Sequence, residues 1–330
     1  MLKLSDFDYE LPRELIAQYP LEKRESARLL VLNRRTGAIE HRTFGDITEY
    51  FKEGDTLVLN DTKVLASRLQ GLRASGGRVE VLLVKRKNNL VFEAMIKPSR
   101  VKLQEKISFN NGSLAGIMTA RNEMTFNARN IAEVYKHGTM PLPPYIKRIP
   151  DDADNIYYQT VYAKNEGAIA SPTAGLHFTR ELIEETLLCG VNIAYITLHI
   201  SHATFKPVKA IDIKEHKMEG EYFCINSRTQ KLIKQARSSS SRIIAVGTTS
   251  CRALETFSRG LKRGHTDLFI YPGYKFKMTD CLITNFHLPR TTLFMLICAF
   301  AGERLAKKAY QEAIEKKYRF YSYGDAMLVV

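Results

Sequence analysis

The sequence predicts a mixed α/β protein: a larger α/β domain built from residues 1–61 and 151–330, interrupted by a small β-barrel domain over 62–150. Three observations predict it. After Asp151, helical and strand patterns alternate, the layout of an α/β domain. Between Thr62 and Pro150, short apolar runs recur between glycine and asparagine turns, as in a small barrel or sandwich. The charge divides at the same places. Residues 62–150 carry 16 Lys+Arg against 5 Asp+Glu, a net +11, out of +14 for all 330 residues. That length is generous for one core and comfortable for two domains.

Element by element, Leu11–Ala17 has proline in its first turn and apolar residues at helical spacing, so a short helix is expected. Arg28–Asn33 and Ala38–Arg42 flank Gly37 as a hairpin, and Asp55–Asn60 reads as a strand. In the basic segment the runs 78–84, 90–96 and 114–118 read as strands, and only 130–137 looks helical. The segment closes on Pro141-Leu-Pro-Pro144, a stiff extended hinge. Beyond it, helices are expected at 179–188, 228–238, 250–260, 292–305 and 306–317, and strands at 191–198, 242–246, 267–271 and 280–284. Ser227 and Gln230 have capping-box spacing.

Composition narrows the classes. Apolar residues are 45% and charged residues 25%, an ordinary globular balance. The N-terminal stretch lacks the apolar core of a signal peptide, and Thr292–Ala301 is about half a membrane span, so a cytoplasmic, membrane-free protein is expected. Five scattered cysteines, with no Cys-x-x-Cys, suggest buried free thiols rather than zinc or disulfides. His199 and His216 lack metal-ligand spacing, and no Rossmann fingerprint, P-loop or His-Glu-x-x-His helix occurs.

Three stretches look like site loops. Gly167–Thr179 is dense in small residues that let a ligand approach the backbone, with Thr173, Gly175 and His177 in it; its alternative is a buried loop capped at Thr179. Ser241–Arg252 is a strand running into Gly247-Thr248-Thr249 and a helix, where free backbone N–H groups suit a carboxylate; Arg252 is a ligand contact or a surface cation. Asp280–Thr292 sets Asn285 and His287 just past a strand end, the place where open α/β sheets bind ligands; Asn285 suits an adenine edge or a ribose, or else braces a turn. Near the C-terminus, Tyr323 and Asp325 flank Gly324 as a polar tip within an aromatic cluster.

Nine blocks in order carry a resemblance that covers nearly the whole chain. They are Phe7–Pro12 with Leu15–Gln18, Leu59–Val64 with Arg68-Leu69, Met140–Ile146, Tyr158–Ala163, Ser171–Thr179, Gly247–Arg252, Tyr271–Tyr274, Thr284–Pro289 and Tyr323–Met327. Together they resemble the S-adenosylmethionine:tRNA ribosyltransferase-isomerase family of queuosine biosynthesis. The resemblance implies an α/β domain with an inserted barrel. It implies S-adenosylmethionine as ribosyl donor and 7-aminomethyl-7-deazaguanine in tRNA as acceptor. The product is then epoxyqueuosine-tRNA, with adenine and methionine released and no metal or resident cofactor; a monomer is expected. Three departures stand out: Ser201-His202-Ala203 in place of Gly-x-Gly, Glu219 where a histidine is usual after His-Lys-Met, and Ser171 where alanine precedes Pro172.

In that chemistry the sulfonium acidifies the neighbouring ribose carbon, so a base starts ring opening and an amine attacks. Acid–base groups and water exclusion serve it. His177, His287 and Asp325 are the proton-transfer candidates. Thr173, Gly175, Gly247, Thr248, Thr249, Arg252, Asn285 and Tyr323 are the substrate-binding candidates. An S-adenosylmethionine-dependent RNA methyltransferase is the enzymatic rival, separated by its product, S-adenosylhomocysteine rather than adenine. A non-catalytic RNA-binding protein is the other, separated by absence of donor binding.

Overall fold

A computed structural model describes residues 2–201, 208 and 210–330. His202 and Ala203, and with them most of the first departure, lie outside the described residues. The strands are β1 (Arg28–Leu32), β2 (Ile39–Thr43), β3 (Thr56–Asn60), β4 (Thr62–Val64), β5 (Arg68–Arg73), β6 (Arg78–Asn88), β7 (Val91–Lys97), β8 (Lys106–Phe109), β9 (Leu114–Ala120), β10 (Glu123–Asn127), β11 (Asn165–Ala168), β12 (Asn192–Leu198), β13 (Glu221–Cys224), β14 (Ile243–Val246), β15 (Arg263–Thr266), β16 (Cys281–Asn285) and β17 (Ala326–Val329). The helices are α1 (Ile131–Lys136), α2 (Asp154–Tyr157), α3 (Arg180–Leu188), α4 (Ser227–Ser238), α5 (Gly247–Phe257), α6 (Thr292–Ala301) and α7 (Glu303–Glu315).

Nine strands form one mixed sheet in the order β15-β13-β12-β3-β14-β16-β17-β1-β2. Its middle, β12-β3-β14-β16, is parallel. β3, β14 and β16 are buried on both faces, which is why they read as nearly continuous apolar runs, whereas β12 alternates. On one face Val58, Ala245 and Leu282 meet Leu254, Phe294, Ile297 and Ala309. On the other, Leu57, Ile244 and Ile283 meet Phe44, Ile47, Phe178 and Leu182. β17 runs antiparallel to β16 and parallel to β1.

The expected barrel is present as a closed, antiparallel ring, β10-β7-β6-β5-β8-β9. Alternation builds it: Val79, Val81 and Leu83 of β6 point inward with Phe92, Phe109, Met124 and Phe126. Thr62–Val64 pairs with β11 instead of a barrel strand. The return segment is anchored, since Pro141, Leu142 and Pro143 are buried.

Several local expectations are corrected. Residues 11–17 hold only a 3-10 turn, Arg13–Leu15, because the Leu15 carbonyl and Ala17 N–H pair with Phe320. The strand placed at 267–271 lies instead at Arg263–Thr266. The backbone after it is satisfied by side chains: the Thr266 hydroxyl accepts from Leu268 N–H, and Arg252 donates to the Leu268 carbonyl. α4 is capped by Asn226, which accepts from Thr229 N–H, one residue before the expected Ser227. α5 starts at Gly247 with no intervening loop. All five cysteines are free, yet only Cys251, Cys281 and Cys298 are buried, while Cys189 is exposed.

Candidate functional site

The four parallel strands end on one edge of the sheet, at Leu198, Asn60, Val246 and Asn285. A narrow cleft opens there, with a volume of about 50 Å³. Thr173, Gly247, Thr248, Thr249, Asn285 and His287 line it. Six of the eleven expected site residues, drawn from three distant stretches, are therefore brought together by strand order. Gly247 has φ +87° and turns the chain directly from β14 into α5, so the uncapped first turn of that helix opens on the cleft.

His287 is buried and its Nε2 lies 2.8 Å from the Thr284 hydroxyl. Burial lowers its pKa from 6.5 to about 3, so its imidazole is neutral at neutral pH. His177 is lowered to about 3 as well, by burial and then by the positive charges of Arg24 and Arg319. Its ring lies against Phe44 and faces a neighbouring cavity, beside Arg24, Tyr157 and Tyr323. Its Nε2 stands 3.1 Å from Asn285 Nδ2. The same Nδ2 donates to the carbonyl of Tyr321 at 3.1 Å, and Asn285 Oδ1 has no partner among the described residues. Tyr321 adopts φ +75°, a strained conformation for a bulky residue, and this aims its carbonyl at the asparagine.

Four expected residues stand elsewhere. Asp325 is buried with both oxygens engaged by backbone, accepting from Arg28 N–H at 3.0 Å and Arg319 N–H at 2.8 Å. Burial raises its pKa, and it pins β1 to the final turn without lining either cavity. Arg252 is neither a surface cation nor a cleft residue: it pairs with buried Glu221 and donates to the carbonyls of Thr266 and Leu268. Gly175 serves packing, since a Cβ there would come within 2.0 Å of the Tyr162 hydroxyl. Tyr323 donates to Asp154 Oδ1 at 2.7 Å and lines the neighbouring cavity.

Sequence reasoning gave no role to Asn60, Tyr145, Thr284 or Tyr321. Asn60 donates to the Leu198 carbonyl and the Thr249 hydroxyl, locking the end of β12 to the start of α5. Its place at a strand end, one residue before Asp61-Thr62, was the available signal. Tyr145 is delivered by the proline segment and lines the cleft with Tyr321. Of the third departure, Ser171 lines the cleft, and its buried hydroxyl has no partner among the described residues. Glu219 lies outside the cleft lining.

In the basic segment some charge is internally compensated. Arg68 pairs with Glu80, Arg73 with Glu105 and Lys87 with Glu123. Lys85 and Arg86 have no ion pair among the described residues, and both line a groove between barrel and sheet domain with Tyr135 and Gly167. No helix of the described residues is long and apolar enough to cross a membrane.

The family model described as "Queuosine biosynthesis protein" matches residues 4–329. A protein of Sulfurihydrogenibium sp. (strain YO3AOP1), named S-adenosylmethionine:tRNA ribosyltransferase-isomerase, is 50% identical over 100% of both chains. One of the same name from Aquifex aeolicus (strain VF5) is 46% identical, again over 100% of both. The crystal structure of an S-adenosylmethionine tRNA ribosyltransferase from Thermotoga maritima is 36% identical, with a TM-score of 0.58 over 98% of this chain and 100% of that one. A match of this extent, on a sheet whose strand ends gather the residues of the matching blocks, makes the chain a member of the S-adenosylmethionine:tRNA ribosyltransferase-isomerase family of queuosine biosynthesis.

Proposed function

We propose that this chain transfers and isomerises the ribose moiety of S-adenosylmethionine onto the 7-aminomethyl group of 7-deazaguanine in tRNA, giving epoxyqueuosine-tRNA with adenine and methionine released. The supporting observation is the cleft at the parallel strand ends, where buried polar atoms of Ser171 and Asn285 lack partners among the described residues, beside an uncapped helix start. Buried polar atoms are nearly always satisfied, so atoms left open in a concave site call for a ligand. S-adenosylmethionine, as co-substrate, offers donors and acceptors along its whole length, and the Tyr145 and Tyr321 rings suit its sulfonium.

His287 is the acid–base group of this proposal. It lines the cleft as a neutral imidazole with Thr284 fixing its ring, and the burial that keeps it neutral also makes it a weak base until the donor is bound. His177 and Asp325 support the floor through Asn285 and the final turn. The barrel, with Lys85 and Arg86 toward the domain groove, grips tRNA phosphates. The protein works as a monomer in the cytoplasm, with no metal or resident cofactor.

Donor labelled in its ribose, incubated with tRNA bearing the aminomethyl base, will leave label in the tRNA and free adenine in solution. Methyl label in the RNA, with S-adenosylhomocysteine as the product, would replace this proposal with a methyltransferase.

A further inference from the structure

Asn285 has a fixed orientation. Its amide nitrogen faces the carbonyl of Tyr321 at 3.1 Å and that of Asp325 at 3.5 Å. Carbonyls only accept, so the atom facing them is Nδ2. His177 Nε2, 3.1 Å from the same nitrogen, is then an acceptor too. Three acceptors around one NH2 leave Oδ1 on the opposite side, on a residue only 1% exposed, with no partner among the described residues and in the lining of the cleft. Asn285 therefore offers the cleft a hydrogen-bond acceptor and nothing else.

Next to it stands the complementary group. Val246 and Ile283 are register partners, so Gly247 and Asn285 end neighbouring strands, which lie roughly 4.8 Å apart. α5 begins there without a side-chain cap, and the cleft also holds Thr248 and Ser171, whose buried hydroxyl has no partner among the described residues. No Asp or Glu lines this cleft among the described residues. Anion-seeking donors and one fixed acceptor thus line the same cleft, the arrangement that an α-carbon carrying both charges requires.

We infer that this corner is an α-amino-acid subsite: the start of α5 with Ser171 holds a carboxylate, and Asn285 Oδ1 accepts from the adjacent ammonium. Resting on the proposed donor, it reads the methionine end of S-adenosylmethionine, and the adenosine half lies away from Asn285. His177 is a positioning residue that keeps the amide from flipping. Free methionine carries the same zwitterion, so product and donor share the subsite.

Binding isotherms test this with S-adenosylmethionine, its deaminated analogue, methylthioadenosine, methionine and deaminated methionine. Loss of a hydrogen bond to a charged group costs about tenfold to a hundredfold in affinity. Removing the amino group from either ligand will cost the wild type that factor. Asn285→Ala will weaken the intact donor to the level of its deaminated analogue and leave methylthioadenosine unchanged. His177→Ala will raise the donor KM while leaving the pH profile of kcat in place.

Equal affinity for aminated and deaminated ligands overturns the subsite, as does an Asn285→Ala variant that weakens methylthioadenosine as much as the donor. Preference for methionine over its deaminated form, without donor binding, keeps the subsite and removes the proposed donor. Binding of none of the five overturns both. Should Asn285→Ala fail to fold, the wild-type series alone decides.

Discussion

The sheet domain and the barrel treat polar groups in opposite ways. At the parallel strand ends the polar residues are buried and held in place, Asn60 by Thr249, Thr284 by His287 and Asn285 by His177, with few atoms left open among the described residues. The barrel keeps its interior apolar and sets its cations outside. A small ligand is recognised by atoms whose positions are enforced, which demands burial. A polyanion is recognised by charge count and reach, which demands exposure. Under the proposed function, the difference separates chemistry from grip within one chain.

The sharpest test of that separation is Arg252→Met. Its partner Glu221 is buried, and removing one member of a buried pair costs about 3–5 kcal/mol. Denaturant unfolding will show that loss, with donor affinity of the folded fraction unchanged. A stable variant that no longer binds donor would return Arg252 to the ligand site. His287→Ala comes next, with turnover down about 10²–10⁴-fold at nearly unchanged tRNA affinity. Near-normal turnover in a folded variant would leave the cleft without its acid–base group.

Between about pH 6.5 and 4.5, before paired barrel carboxylates such as Glu105 begin to protonate, acidification probes the buried histidines. His177 and His287 bind protons near pH 6.5 when unfolded and near 3 when folded, so the unfolded chain holds more protons between those values. Their contribution is complete above pH 6.5 and is lost as pH falls toward about 3, at about 1.4 kcal/mol per pH unit for each histidine. His287→Gln will remove one of these two slopes. A slope unchanged by that substitution would mean that His287 is solvated.

The smallest effect belongs to the barrel. Lys85→Glu with Arg86→Glu will weaken tRNA binding by about tenfold and flatten its dependence on the logarithm of salt by about 0.7–0.9 per lost phosphate contact. Donor binding will not move, since exposed charges are screened beyond about 10 Å at 0.1 M salt. Unchanged tRNA affinity would free the barrel of that role. Lys87 is the weaker choice, because Glu123 already holds it.

How legible this was in the sequence varied with the physics. β3, β14 and β16 announced themselves as apolar runs because both faces are buried, and the cleft residues because small and hydroxyl residues cluster at strand ends. Asp325 and Arg252 looked like site residues because a lone charge in a distinctive block carries no sign of its partner. Their partners, the N–H groups of Arg28 and Arg319 and the carboxylate of Glu221, are supplied by distant chain. The 267–271 strand failed for a related reason: its backbone bonds are taken by Arg252 and Thr266 side chains, which periodicity cannot register. Barrel strands β5, β8 and β10 escaped because each is short and half polar.

The strand order sets two clocks for folding. Every barrel strand finds its neighbours between Arg68 and Asn127, whereas β3 waits for Asn192–Ile196 and Ile243–Ala245, and β1 waits for Ala326–Val329. Distant pairings must close long loops before they are rewarded, so they form late. The ring can close while β1 and β3 still show bare edges, and bare apolar edges recruit other chains. For a cell making this protein, the hazardous interval is the time between a finished barrel and an unfinished sheet. Pulse-labelled hydrogen exchange during refolding would display that interval as protection in 68–127 preceding protection in 56–60.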